Sequence, residues 1–255
     1  MMHNKTVTSS DNSDNASRAD AIRDMFSAIA PRYDFLNRLL SLGIDRGWRR
    51  TLTRMAWQNG TTDILDVACG TGDVSLELRR KAPAARIVGL DFSQAMLDLA
   101  AVKVERARAQ VELVAASAED LPFPAADFDL LTIAFGIRNV VDKKKALGEF
   151  YRVLRPQGRL AVLEFSQPDY AWLRGIYNFY FFKILPLIGG LFAKRSAYRY
   201  LPDSVAKFPS RNEFVAGLKD AGFTGCRYHS LTFGVATLYL AEKSDSSERN
   251  RTGGK

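Results

Sequence analysis

The stretch DILDVACGTGD, Asp63 to Asp73, carries an apolar run into a glycine turn with acids on both sides. Gly70 and Gly72 bracket Thr71, and glycines at the carboxyl end of a first strand let the backbone come close to a ligand. Such a turn often only leads a strand into a helix. The pattern here asks for more. Position 75 is serine, so the third glycine of a dinucleotide fingerprint is missing. The lysine of a phosphate-binding loop is also absent. Asp66 and Asp73 would repel phosphates and suit a ligand with positive charge, such as a sulfonium and an amino group. Asp91 closes the next apolar run about 20 residues on, where an acid accepts hydrogen bonds from ribose hydroxyls. Ser117 and Ala118, followed by Glu119 and Asp120, come after the third run, where an adenine edge would lie. The ligand inferred is S-adenosyl-L-methionine, and Phe92 and Ala134 complete the expected cofactor set.

The elements that would hold these residues follow from the periodicity. Ala21–Ala30 reads as an amphipathic helix stopped by Pro31, and 32–58 is mostly helical with a break near Gly43. Strand-like runs then alternate with helical ones. Strands are expected at 64–67, 86–91, 111–116, 128–135 and 158–165, with helices at 73–81, 93–108 and 142–154. CRYHSLTF and VATLYLAE form a closing pair joined at Gly234. Alternation of this kind gives a doubly wound parallel sheet. No helix separates the closing pair, so one of its strands must run antiparallel. The expected fold is α/β: a Rossmann-like, seven-stranded class I methyltransferase sheet with its last strand antiparallel. One domain covers 20–242, with N-terminal helices at 20–60 and a substrate-side helical insertion at 167–208; 1–19 and 243–255 read as unstructured tails.

Composition narrows the function classes. Of 255 residues, 47% are hydrophobic, enough for a full core. Cys69 and Cys226 are the only cysteines, and His3 and His229 the only histidines. Neither a disulfide framework nor a metal ligand set can be drawn from them, and no metal is expected. Net charge is +8, which fits either nucleic acid or an anionic membrane surface. The most apolar segment, IYNFYFFKILPLIGGLF, is broken as a membrane span by Lys183, Pro186 and Gly189–Gly190.

Three segments bear a family resemblance: YDFLNRLLSLGIDRGW (33–48), GIRNVVDK (136–143) and RVLRPQGRLAVLEFSQP (152–168). They resemble the hallmark segments of the quinone-biosynthesis C-methyltransferases, and AYRYLPDSVAKFP (197–209) resembles that family's insertion. The likeness runs over about residues 20 to 242. That family usually carries histidine at position 45 and methionine at 36, where this chain has Asp45 and Leu36. The resemblance implies C-methylation of a polyprenylated quinol ring, with demethylmenaquinol favoured and the benzoquinol step of ubiquinone biosynthesis, or both, as the alternative. It implies cofactor contacts at Thr71, Asp91, Ser117 and Ala118. Arg138 and Asn139 would face the acceptor, and Tyr33, Asp34 and Asn37 would lie on helices covering the cofactor.

Chemistry supports a role for Arg138. A quinol carbon becomes nucleophilic when the neighbouring hydroxyl loses its proton, and a guanidinium would stabilise the phenolate or orient a water that takes the proton. The bland reading is a surface salt bridge to Asp142 or Glu149. Tyr33, Arg138 and Asn139 are the candidate catalytic residues.

The insertion is aromatic: Tyr177, Phe179, Tyr180, Phe181, Phe182, Phe192, Tyr198 and Tyr200. Arg174, Lys183, Lys194, Arg195 and Arg199 interrupt it. This reads as an apolar groove for a prenyl tail with cations at anionic headgroups, hence a cytoplasmic enzyme in transient contact with the inner face of a membrane. A homodimer stays open. A nucleic-acid methyltransferase fits poorly, because AFGIRNV follows the fourth strand where an Asn-Pro-Pro-Tyr segment would be needed. A cofactor-binding module without turnover, and a methyltransferase of another lipid, are the remaining alternatives.

Overall fold

The computed structural model describes residues 9–41, 43–180 and 195–245. Phe181, Phe182, Lys183, Phe192 and Lys194 of the aromatic insertion lie outside the described residues.

Three helices precede the sheet: α1 (Ser9–Ile29), α2 (Tyr33–Leu40) and α3 (Asp45–Ala56). α1 begins well before Ala21, so residues 9–19 of the expected lead-in are helical. Pro31 lies in a 3-10 turn, Ala30–Arg32, between α1 and α2. Gly43, at φ +77°, separates α2 from α3 as its conformational freedom predicts.

The sheet is built from β1 (Asp63–Val67), β2 (Arg86–Asp91), β3 (Glu112–Ala115), β4 (Phe128–Ala134), β5 (Leu154–Phe165), β6 (Phe223–Leu231) and β7 (Ala236–Lys243). Its order is β3-β2-β1-β4-β5-β7-β6. β7 runs antiparallel to both β5 and β6, and the other pairings are parallel. The closing strand is therefore the antiparallel one, as the missing helix requires. β5 starts at Leu154 rather than 158: Leu154 pairs with Phe128, and the register slips before Leu130 pairs with Arg159.

The connecting helices are α4 (Asp73–Lys81), α5 (Gln94–Arg106) and α6 (Lys143–Val153), followed by α7 (Ala171–Phe179), α8 (Arg195–Ala206) and α9 (Arg211–Asp220). Asp142 caps α6 by accepting from Lys145 N at 2.9 Å. Ser210 and Glu213 close a capping box on α9. Helices bury both sheet faces, which is why the inner strands read as near-continuous apolar runs. One core joins Trp48, Leu52, Ile64, Leu78 and Leu163; the other joins Leu65, Ile133, Phe150, Val162 and Phe214. The chain reverses direction across the sheet between β1 and β4, and ligands of open α/β sheets bind at that reversal, beyond the strands' carboxyl ends.

Candidate functional site

A cleft of about 750 Å³, counting its open mouth, lies at that reversal. Asp91, Phe92, Ser117, Ala118, Glu119, Ala134 and Asn139 line it, and Ile22, Phe26 and Tyr33 cover it from α1 and α2. A smaller lobe of about 350 Å³ adjoins it, sharing Tyr33, Ala68, Gly70, Ala134 and Phe135. Asp66, Thr71, Asp73 and Arg49 line that lobe.

Backbone conformation shapes the floor. Ala68 and Phe135 end β1 and β4 with positive φ, +51° and +58°. Such strain in non-glycine residues costs about 1–3 kcal/mol each and clusters at functional sites. Gly136 follows Phe135, and a Cβ there would stand 2.6 Å from Ala68 Cβ, so the two loops touch only because position 136 has no side chain. Gly70, at φ +56°, faces the cleft toward Tyr33. Gly72 differs from the expectation. It lines neither lobe, and its absent side chain makes room for Ala100 on α5. Its positive φ, +81°, serves the turn into α4.

The acids are held apart from one another by distinct partners. Asp91 Oδ2 accepts from Gly70 N at 2.8 Å and Oδ1 from Ser93 N at 2.9 Å, so strand β2 and the glycine turn fix its carboxylate at the cleft wall. Burial raises its pKa. Asp66 is buried under the smaller lobe and accepts from the hydroxyls of Ser75 at 2.6 Å and Thr132 at 2.8 Å. Burial pushes its carboxyl up to about 6, against those hydrogen bonds. Burial would raise Asp73 as well, but Arg49 and Lys103 outweigh it and hold that carboxyl below its ordinary range.

Thr71 is tied into a cluster that pins α2 to the glycine turn. Its hydroxyl donates to Asp34 Oδ1 at 2.6 Å and accepts from Lys103 Nζ at 2.7 Å. Lys103 also reaches Asp34 at 2.5 Å and Asp73 at 2.6 Å. Asp34 thus holds the covering helix down, while Tyr33 beside it forms part of both lobes. Burial raises the Tyr33 hydroxyl, against a hydrogen bond with Asn37 and the charges of Arg138 and Arg49.

Arg138 does not line the cleft. Its side chain is 8% exposed and pairs at 2.7 Å with Glu164, which is fully buried on β5. Its Nη1 also donates to Phe135 O, its backbone N to Glu164, and its guanidinium stacks 5.4 Å from the Phe165 ring. Nε is buried with no acceptor among the described residues. The surface salt bridge expected as the bland alternative does not form: Glu149 pairs with Arg152, and Asp142 caps α6. Asn139 accepts from the Tyr200 hydroxyl at 3.0 Å, joining the β4 loop to α8.

Sequence reasoning missed Arg49 and Glu164, and it placed Glu119 only beside the expected adenine edge. Glu164 left a signal, a lone acid inside the apolar run of β5. Glu119 accepts from the backbone of Val141 and Asp142 and closes the far wall of the cleft. Arg49 left no signal in spacing, because only folding brings α3 to the glycine turn.

The donor set fits S-adenosyl-L-methionine. An acid stands where ribose hydroxyls would lie, Phe92, Met96, Ala118 and Val140 offer flat apolar walls, and a charged lobe adjoins them. Fold and cleft define the class of nucleoside-binding methyltransferases built on a seven-stranded sheet. Solved structures agree at the level of fold: the cyclase SpnF matches with a TM-score of 0.67 at 16% identity over 88% of this chain and 96% of its own. A SAM-dependent methyltransferase from Aquifex aeolicus matches at 0.59 and 18% identity, over 82% and 97%. The model of the ubiE/COQ5 methyltransferase family matches residues 13–243, and the chain belongs to that family. A ubiquinone/menaquinone biosynthesis C-methyltransferase of Geotalea daltonii is 50% identical, over 89% of this chain and 97% of its own. The demethylmenaquinone methyltransferase of Thermus thermophilus is 49% identical, over 86% and 100%.

Proposed function

We propose that this enzyme transfers a methyl group from S-adenosyl-L-methionine to a ring carbon of a polyprenylated quinol, with demethylmenaquinol as the acceptor. When bound, the cofactor supplies an electrophilic methyl group, held by Asp91, Ser117 and Ala118 at its nucleoside and by Asp66 and Thr71 beyond the glycine turn. The observation that carries the acceptor reading is the loop after β4. Arg138 is buried with its Nε unpartnered, within electrostatic reach of both Tyr33 and Tyr177. Because Arg138 lies behind the cleft wall with Nε sealed from solvent, it would act by its charge rather than by contact, favouring a quinol oxygen that gains charge as its proton leaves. Asn139 and Tyr33 orient the ring, and α1 and α2 exclude water.

The second reading is the benzoquinol step of ubiquinone biosynthesis, favoured by the name of the Geotalea relative, which covers both pathways. Purified protein, labelled cofactor and two reduced short-chain acceptors separate them. Methyl transfer to demethylmenaquinol carries the first reading, and transfer only to the demethylated ubiquinol precursor carries the second. Tight cofactor binding with neither acceptor labelled ends the quinol assignment.

The acceptor's prenyl tail calls for contact with the inner face of a membrane. No helix among the described residues is long and apolar enough to cross one. Exposed aromatics lie at the sheet end that carries the cleft. Tyr170 meets Phe233 edge-on at 6.4 Å, and Trp172 and Phe179 stand exposed on α7 beside exposed Arg174. Phe165 pairs with Ala236, so the β6–β7 turn bearing Phe233 lies at the carboxyl ends of β4 and β5. This arrangement supports docking with the cleft turned toward the lipid.

A further inference from the structure

Asn139 lines the cleft from the 3-10 turn Ile137–Asn139 that follows β4. The two ends of its amide offer a ligand opposite things: the carbonyl accepts and the NH2 donates. Two neighbours decide which way it lies. Nδ2 stands 3.4 Å from Phe135 O, and that carbonyl can only accept, so the NH2 must face it. This bond is long, and Phe135 O also accepts from Arg138 Nη1, so it holds the amide weakly. The firmer contact is at the other end, where the Tyr200 hydroxyl donates to Oδ1 at 3.0 Å. Tyr200 lies 61 residues on in the chain, on α8, which packs against this turn. That helix is anchored by Val205, buried in the core that also holds Phe135 and Phe165. Ile137, fully buried, anchors the turn. Among the described residues the amide makes no other hydrogen bond. Its second N–H is therefore left for a partner in the cleft.

We propose that Tyr200 is a positioning residue for methyl transfer, fixing the Asn139 amide so that it donates to an oxygen of the acceptor ring. The assignment rests on the acceptor reading above. Tyr200 acts through Asn139 and does not itself touch the acceptor. A donor beside an oxygen that gains charge lowers the barrier, and a carbonyl in the same place raises it. Without the hydroxyl, the amide keeps only its long bond to Phe135 O and samples orientations that turn Oδ1 toward the acceptor. The helical insertion thus sets the orientation of a group on the sheet's own loop. The alternative role for Tyr200 is purely structural, as a tie between α8 and the loop in which the amide's orientation is immaterial.

Single-turnover methyl transfer separates these roles, using whichever of the two reduced short-chain acceptors the wild type methylates. Tyr200→Phe, Asn139→Ala and the double variant are compared with wild type, with S-adenosylhomocysteine calorimetry on each. Tyr200→Phe keeps the ring and removes only the hydroxyl. Its rate constant at saturating acceptor is expected to fall roughly 10-fold, as a misplaced group near the reacting atoms does. Acceptor KM and S-adenosylhomocysteine affinity should hold within about twofold, the scale of independent sites. Asn139→Ala should cost at least as much in rate. Adding Tyr200→Phe to it should cost nothing further, because the hydroxyl acts only through the amide. A rate constant does not depend on the folded fraction, so partial unfolding does not imitate the result. An unchanged rate in Tyr200→Phe overturns the proposal. Losses that multiply in the double variant also overturn it, since Tyr200 would then act elsewhere. A parallel fall in S-adenosylhomocysteine affinity overturns it too, and assigns Tyr200 to bracing the loop. Wild-type protein that methylates neither acceptor ends the acceptor reading and this proposal with it.

Discussion

At the residue scale, the Arg138–Glu164 pair decides what a substitution can report. Removing one partner of a buried pair leaves an unpaired charge and costs about 3–5 kcal/mol. Arg138→Ala should therefore lose stability as well as turnover, because Glu164 has no exposure to water. Arg138→Ala combined with Glu164→Gln removes both charges and should recover most of the melting temperature. If the arginine acts on the quinol oxygen, the double variant stays down about 100-fold or more in single-turnover rate while S-adenosylhomocysteine affinity holds. Near-normal turnover in the double variant would make Arg138 a brace for the loop and nothing more.

Elements position these groups through two strained ends. Ala68 and Phe135 leave β1 and β4 in the left-handed region, and the loops they start meet at Gly136. Gly136→Ala puts a Cβ 2.6 Å from Ala68 Cβ, which moves only with its backbone, and 3.2 Å from the Ile133 side chain at Cγ1. Expected outcomes are a loss of about 1–3 kcal/mol and weaker S-adenosylhomocysteine binding, because the floor of the cleft must spread. Gly148→Ala on the exposed face of α6 is the control. Open space surrounds it, so the gain in helix propensity should raise stability by about 0.5–1 kcal/mol. Thermal melts and calorimetry on both variants check the pair, and indistinguishable behaviour would refute the close approach.

At the scale of the whole molecule, net charge of +8 and the exposed aromatics at one sheet end are what the proposed membrane docking would use together. Trp172 is 66% and Phe233 65% exposed, so neither supports the core. Trp172→Ser with Phe233→Ser should leave the melting temperature unchanged and reduce flotation with anionic vesicles by roughly tenfold or more, the worth of burying large apolar side chains. Raising salt should weaken what remains, because the charge attraction is screened. Vesicle binding unaffected by the double change would rule out this face as the docking surface, and wild-type protein that does not bind anionic vesicles would end the membrane proposal.

Local chemistry by itself determined most of the sheet. Apolar runs, Gly43, Pro31 and the acid of Asp142 mark strands, breaks and a cap through interactions that reach only a few residues along the chain, and they are legible one segment at a time. The order of acids around the glycine turn was legible for the same reason, as was Asp91 at the end of β2. Only tertiary structure decided which charges meet. Glu164 lies 26 residues from its Arg138 partner, and Arg49 lies 24 from Asp73. No spacing along the chain encodes those distances. Packing of α3 against the sheet made a cation part of a lobe that looked purely acidic. Burial of β5 made Arg138, which was expected to face the acceptor and whose bland reading was a surface salt bridge, half of an ion pair shielded from water.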